Sequence, residues 1–134
     1  MAPTIAPTNI CGLTDVARID AIRAIISQVT DLSVIDTPGT NQNLAYNWLI
    51  SEGPDSLYVC PDDVEFVLQR YILGVVYFAL DGDNWDRCGR VNSNCQSITD
   101  GITYEPYLSK ADVCDWFGIT CIGGSVTRVV LGEY

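Results

Sequence analysis

The sequence predicts a small, mainly α-helical domain that ends in an irregular, disulfide-bonded segment and a short β-strand. Three observations predict this class. Apolar residues recur at helical spacing up to residue 80, residues 81–125 are rich in Asp, Gly, Asn, Ser and Cys, and residues 126–131 form a β-branched run. The chain has 134 residues, of which 48% are hydrophobic and 18% charged, and these values indicate one folded domain.

Three principal helices are expected before residue 81. The first begins at Thr14, whose hydroxyl can cap the free N–H groups of a first turn. Helical spacing assigns five apolar residues to its inner face: Val16, Ile19, Ile22, Ile25 and Ile26. The same spacing directs three polar residues towards water: Arg18, Asp20 and Arg23. Residues 32–40, which contain Pro38-Gly39, are expected to form a loop.

The second helix is expected over residues 42–51, with Leu44, Ala45 and Trp48 on its inner face and Gly53-Pro54 as its stop. The third opens with Pro61-Asp62-Asp63, where proline is tolerated and carboxylates favour the positive end of the helix dipole. It runs to about residue 80 and is apolar nearly all round in its second half. A helix of that kind is buried on most sides.

Six cysteines and the absence of histidine restrict the chemistry. Without histidine, Cys/His zinc sites, catalytic triads and Cys–His dyads are excluded, and six-residue gaps do not match the short spacing of thiolate zinc ligands. We therefore expect three disulfides, formed in an oxidising compartment. Six cysteines allow many pairings; we expect the local pairs Cys88–Cys95 and Cys114–Cys121, with Cys11–Cys60 as the long-range bridge. Acidic neighbours of Cys114 favour a structural staple over a redox site.

The net charge, the N-terminal residues and the longest apolar run limit which partners and which compartment are expected. A net charge of −10 repels nucleic-acid phosphates and anionic membranes, so no nucleic acid is expected as a partner. Residues 1–10 alternate Pro and Thr with small residues, predict a flexible tail, and lack the regions of a signal peptide, which is expected to be absent from this chain. The longest apolar run, YILGVVYFAL, is half of the roughly 20 residues of a membrane span, so no membrane insertion is expected.

Asp81, Asp83 and Asp86 form a weak calcium candidate. An EF-hand loop needs an oxygen ligand at its fifth position and glycine at its sixth, but this stretch has Trp85 and Asp86 there. A solvated turn is therefore the favoured interpretation. Seventeen acidic residues also make some carboxylate pair nearly inevitable, so a hydrolase site gains little weight from them. We expect a protein without a cofactor that is not an enzyme.

The stretch CDWFGITC at residues 114–121, followed by GGSVTRVVL at 123–131, resembles the N-terminal cap of extracellular leucine-rich-repeat proteins. In plant receptor kinases this cap reads Cys-x-Trp-x-Gly-Val-x-Cys and is followed by a Val-Thr-x-Leu-x-Leu strand. Residues 68–85, which end in GDNW, look closest to caps of diatoms and related algae. The residues that carry the resemblance are Trp85, Cys114, Trp116, Gly118, Cys121, Val126, Val129 and Leu131.

The resemblance implies a division of the chain into the tail at 1–10, a cap at 11–125 and a truncated first repeat strand at 126–134. It places Val126, Val129 and Leu131 on the inward side of that strand. Arg128, Val130 and Tyr134 would form an interaction edge for a protein partner or for self-association. It implies a non-catalytic capping domain that is secreted or lies on the outer cell surface. Two alternatives stay open: a secreted helical protein that binds a small apolar ligand, and a small secreted hydrolase that uses paired carboxylates.

Overall fold

The computed structural model describes residues 9–52 and 56–131. Four α-helices precede a two-stranded antiparallel sheet: α1 Asp15–Ile26, α2 Leu32–Ile35, α3 Asn41–Leu49, α4 Val64–Ala79, β1 Ile119–Ile122 and β2 Ser125–Val129. Short 3-10 turns lie at Gly82–Asn84 and Val113–Asp115. The predicted class, mainly helical with a minor β part, is confirmed. Residues 1–8, Gly53-Pro54 and Tyr134, all named in the predictions above, lie outside the described residues.

Side-chain caps explain where the helices begin. Thr14 accepts a hydrogen bond from the Ala17 N–H, as predicted, and Thr40 accepts one from the Asn43 N–H at the start of α3. Asp63 accepts from the Phe66 N–H as the N-cap of α4, so Pro61 and Asp62, which were expected in the first helical turn, lie in a turn before the helix. Each cap satisfies a backbone donor that the first helical turn leaves free, a contribution of about 1 kcal/mol.

The inner face of α1 differs from its prediction at two positions. Arg18 is fully buried, because its Nε donates to the Val59 carbonyl at 2.7 Å and its Nη1 to the Ile50 carbonyl at 3.2 Å. The Tyr58 ring lies 3.9 Å from the guanidinium carbon and covers it. Val16, predicted to face inward, is instead 71% exposed. Arg18 is buried because residues 58–59 pack across α1 at this point. Helical periodicity carries no information about which segment packs there.

Two further local predictions are wrong. Residues 32–40 are not entirely loop, because Asp31 caps the Ser33 N–H and starts the single turn α2. On α3, Ala45 is buried and Trp48 packs against both core clusters, as predicted, but Leu44 is 39% exposed, and Tyr46 and Leu49 are buried as well. The reason is that α3 packs chiefly on α4, and this contact rotates the buried face towards Tyr46 and Leu49.

The buried residues form two clusters joined along α4. The first lies between α1, α2, α3 and the N-terminal half of α4, and includes Ile22, Ile26, Leu49 and Val67. The second lies between the C-terminal half of α4 and the stapled segment: Leu73, Tyr77, Tyr107, Leu108, Val113, Trp116 and Ile119. The predicted core packing of α4 is confirmed for Tyr71 and Tyr77, which are 1% and 0% exposed.

All six cysteines form the three disulfides that were expected: Cys11–Cys60, Cys88–Cys95 and Cys114–Cys121. The two local bridges, each with a sequence separation of 7, close loops in the segment after α4. The long-range bridge, with a separation of 49, ties the approach to α1 to the approach to α4. Three disulfides are consistent with an extracellular or secreted protein.

The C-terminal strand belongs to a hairpin. β2 begins at Ser125 and pairs with β1, which lies inside the disulfide loop that was expected to be irregular. Gly123 and Gly124, with φ of +60° and +84°, form the two-residue turn between the strands. Positive φ at both central positions is the geometry that suits a tight hairpin and favours glycine. One edge of the terminal strand is therefore paired.

Candidate functional site

The terminal hairpin is built on the Cys114–Cys121 staple. Asp112 accepts a hydrogen bond from the Cys114 N–H at 2.9 Å and starts the turn that precedes Trp116. Trp116 is 1% exposed and donates its indole N–H to the Ala111 carbonyl at 3.2 Å. Phe117 is only half-buried and packs edge-on against Tyr104, with ring centroids 5.2 Å apart. The two adjacent rings thus anchor opposite sides of the hairpin.

The strand register gives the hairpin one apolar face. Val129 lies opposite Ile119 and Val126 opposite Cys121, and a bulge between these pairs keeps both valines on the face that carries buried Ile119. Val126 and Leu131 pack against the second core cluster. Val129 is 40% exposed, so the apolar face continues past the part of the chain that covers it.

The outer edge of β2, away from β1, is held at its start by α4. The Gln69 side-chain amide donates to the Gly124 carbonyl at 3.2 Å and accepts from the Val126 N–H. In a parallel ladder, a residue donates its backbone N–H to the residue before the one that it faces. Its carbonyl accepts from the residue after the one that it faces. Gln69 therefore imitates one residue of a parallel strand opposite Ser125. The Ser125 hydroxyl donates to Glu65, one turn earlier on α4.

Beyond Val126 the outer edge of β2 has no strand beside it in residues 56–131, because the sheet there consists of β1 and β2 alone. Val130 donates its N–H to the Gly118 carbonyl at 2.8 Å on the β1 side. Since successive N–H groups of a strand point in opposite directions, the Val129 N–H points to the outer edge. Backbone groups on this edge are therefore placed for pairing with another strand.

Arg70 connects the hairpin to the helices. It is 2% exposed, and its guanidinium lies 4.8 Å from the Trp48 ring centroid and 5.5 Å from that of Trp116. Nη1 donates to the Ala111 carbonyl at 3.1 Å and Nη2 to the Ser109 carbonyl at 2.6 Å. Burial lowers the pKa of Arg70 to about 10, which still leaves it charged at neutral pH. A buried cation thus orders the loop that leads into the stapled turn.

At the predicted calcium candidate, the structure has a set of hydrogen bonds around one carboxylate. Asp83 accepts two bonds from Arg90, both at 2.8 Å, and a third at 2.7 Å from the Tyr77 hydroxyl. Asp81 accepts from the Asn84 amide, and Asp86 is exposed. Among the described residues, no group of three or more Asp, Glu or Cys side chains is arranged to hold a metal ion. Asp83 serves the packing of Tyr77, which Trp85 also contacts edge-on.

Asp83→Asn is expected to lower the free energy of unfolding by about 1 kcal/mol at pH 7, a value reduced for partial exposure. The Arg90 hydrogen bond holds the pKa of the Asp83 carboxyl below its usual range. Its stabilising contribution is therefore complete above the unfolded pKa of about 4 and is lost as pH falls through the folded value. Urea unfolding at several pH values should show a weaker acid dependence for Asp83→Asn. Asp86→Asn is the control, and an equal effect there would contradict the assignment.

The outward side of the hairpin borders a hollow of about 610 Å³. Arg128 and Val130, two of the three residues predicted to form an interaction edge, line it together with Tyr104, Phe117 and Gly118. Gly118, with φ of +79°, also lines the hollow and adds no side chain to it. No helix in the described ranges 9–52 and 56–131 is long and apolar enough to cross a membrane.

Four residues of this site were not predicted: Glu65, Gln69, Arg70 and Tyr104. Arg70 left one signal, because it is the only charged residue between Gln69 and Leu80 in an otherwise apolar stretch of helix. A charge in such a stretch needs buried partners. No sequence signal indicated Gln69 or Glu65, since polar residues in the first turns of a helix are ordinary.

The fold and the site together define a class: a mainly helical, disulfide-bonded domain that ends in a hairpin with one supported and partly open edge. Comparisons of the chain with protein-family models, with curated proteins and with solved structures found no match.

Proposed function

We propose that this domain is a non-catalytic cap that covers the end of a leucine-rich-repeat array in a secreted or cell-surface protein. The observation that carries the proposal is the outer edge of β2. Gln69 imitates one residue of a parallel strand at Ser125, and the edge beyond Val126 has no strand beside it in the described chain. In the proposed array, the strand of the next repeat pairs in parallel with β2 along this part of its outer edge.

The apolar face of the hairpin supports the same function. Ile119, Val126 and Leu131 belong to or pack on the second core cluster, while Val129 is 40% exposed at the end of that face. An array of stacked repeats has a continuous apolar core, and its terminal unit must cover the end with a polar outer surface. The chain has 17 acidic and 7 basic residues, a composition that suits the polar outer surface of such a terminal unit.

The proposal is tested by joining the full chain, at its C-terminus, to a consensus leucine-rich-repeat array that lacks its own N-terminal cap. We expect a monomeric fusion with a higher Tm than the uncapped array, because the exposed end of the repeat core is covered. Val129→Lys is expected to abolish the gain. Ile98→Lys, which adds the same charge at a residue that is 76% exposed, is the matched control. An unchanged Tm on fusion, or equal behaviour of both variants, overturns the proposal.

In the absence of an array, we expect the isolated domain to self-associate through the outer edge of β2. Strand edges pair with other chains when nothing blocks them, and the net charge of −10 opposes this at low salt. Small-angle scattering at increasing protein concentration should show dimers that are favoured by added salt and suppressed by Val129→Lys. A wild-type protein that stays monomeric under all these conditions contradicts this prediction.

A further inference from the structure

The hollow over Gly118 has the size and the mixed chemistry of a ligand site. Its volume, about 610 Å³, lies within the usual range for small-molecule sites. One wall is the edge-to-face pair Tyr104–Phe117, whose ring planes meet at 78°. Arg128 from β2 and Val130 also line the hollow. Aromatic surface and a cation therefore border the same space.

Arg128 differs from four other arginines in having no partner for its charge among residues 9–52 and 56–131. Arg18 and Arg70 are buried against backbone carbonyls, whereas Arg23 and Arg90 each form a two-bond ion pair with an aspartate. Arg128 makes no side-chain hydrogen bond or ion pair with any part of the chain that the structure describes, although it borders a hollow. Its donors are free for an anion.

The carboxylate that shares this hollow is already engaged. Asp100 accepts from the Ile102 N–H at 2.9 Å through one oxygen and from the Tyr104 hydroxyl at 3.0 Å through the other. These bonds keep the pKa of Asp100 below its usual range, so it stays ionised and orients the Tyr104 ring. It forms no ion pair with Arg128, so the two opposite charges stand at separate places in the hollow.

We propose that this hollow binds an organic monocarboxylate with an aromatic or apolar group, the carboxylate on Arg128 and the apolar group against Tyr104 and Phe117. A guanidinium matches a carboxylate with two parallel hydrogen bonds, which a neutral amide cannot accept. Charges farther away than about 8 Å are screened in physiological salt, so the net negative charge of the rest of the protein acts only weakly on an anion at Arg128. A second negative charge on the ligand meets Asp100 and is disfavoured. The site does not depend on the strand edge that carries the proposed capping function.

The test is an NMR titration of the ¹⁵N-labelled full chain with 3-phenylpropionate and with its neutral isostere 3-phenylpropionamide. We expect the acid to bind about fivefold more tightly, the upper range for an exposed ion pair, with the largest shifts at the amides of Gly118, Thr120 and Arg128. Arg128→Gln should remove the preference for the acid. Lys110→Gln removes the same charge at an exposed residue outside the hollow and should keep it.

Each outcome decides the proposal. Equal affinity for the acid and the amide overturns it, as does a preference that survives in Arg128→Gln or is lost equally in Lys110→Gln. Val129→Lys, which tests the cap, changes the opposite face of β2 and should leave the titration unchanged. Failure of the capping function and failure of this site are therefore distinguishable.

Discussion

Replacing Arg70 with alanine is expected to lower the free energy of unfolding by about 4 kcal/mol, one of the two largest effects in this domain. The guanidinium is 2% exposed and donates to the carbonyls of Ala111 and Ser109. Its removal leaves these carbonyls with fewer donors in a desolvated place, and each such loss costs about 1–3 kcal/mol. It also opens a cavity between Trp48 and Trp116, whose ring centroids are 6.1 Å apart.

Arg70→Lys separates the charge from the geometry. Lysine keeps the positive charge but cannot reach two carbonyls with a planar fork, so we expect an intermediate loss of about 2 kcal/mol. Arg128→Ala, a substitution at an exposed arginine, is the control and should change stability by less than about 0.5 kcal/mol. Urea unfolding followed by tryptophan fluorescence measures all three. If Arg70→Ala unfolded at the same urea concentration as the wild type, Arg70 would not connect the two core clusters.

Removal of the Cys11–Cys60 disulfide is expected to lower stability by about 4 kcal/mol, because it frees a loop with a sequence separation of 49 in the unfolded chain. The bridge also adjoins Val59, whose carbonyl accepts a hydrogen bond from buried Arg18. The double variant Cys11→Ala/Cys60→Ala therefore also loosens the segment that covers α1.

The matched comparison is Cys114→Ala/Cys121→Ala, since these cysteines are also half-buried but are only 7 residues apart in sequence. Its expected cost is about 2.5 kcal/mol. Thermal and urea unfolding under non-reducing conditions give the order of the two losses. A larger loss for the short loop would contradict the loop-length argument and would assign the hairpin staple a greater share of the stability.

Much of the helical part could be predicted, because its signals are local. Thr14 caps the helix that it was expected to begin, and the three disulfides join the expected cysteines. Pairing β1 with β2 was not predicted, because β1 lies in a loop in which two cysteines, two aromatic rings and a glycine dominate the pattern. Its strand character comes from the Gly123-Gly124 turn, which brings residues 119–122 alongside residues 125–129.

The site was less predictable than the fold. Val126 and Leu131 contact the second core cluster, but the support of the strand edge by Gln69 joins residues 55 or more positions apart. Arg18 was assigned to the surface and Arg70 was left out of the predicted site, and both errors have the same physical cause. A long cationic side chain is buried only where another segment supplies carbonyls and rings, and no local pattern encodes that segment.

The amino-acid sequence by itself determined the helical class, the start of α1 and the two local disulfides, because caps, periodicity and short cysteine spacings act over short distances along the chain. The tertiary structure alone decided which arginines are buried, which edge of β2 stays open and which residues border the hollow over Gly118. These properties depend on contacts between segments that fold together from distant parts of the sequence, and burial and hydrogen-bond satisfaction exist only once those segments meet.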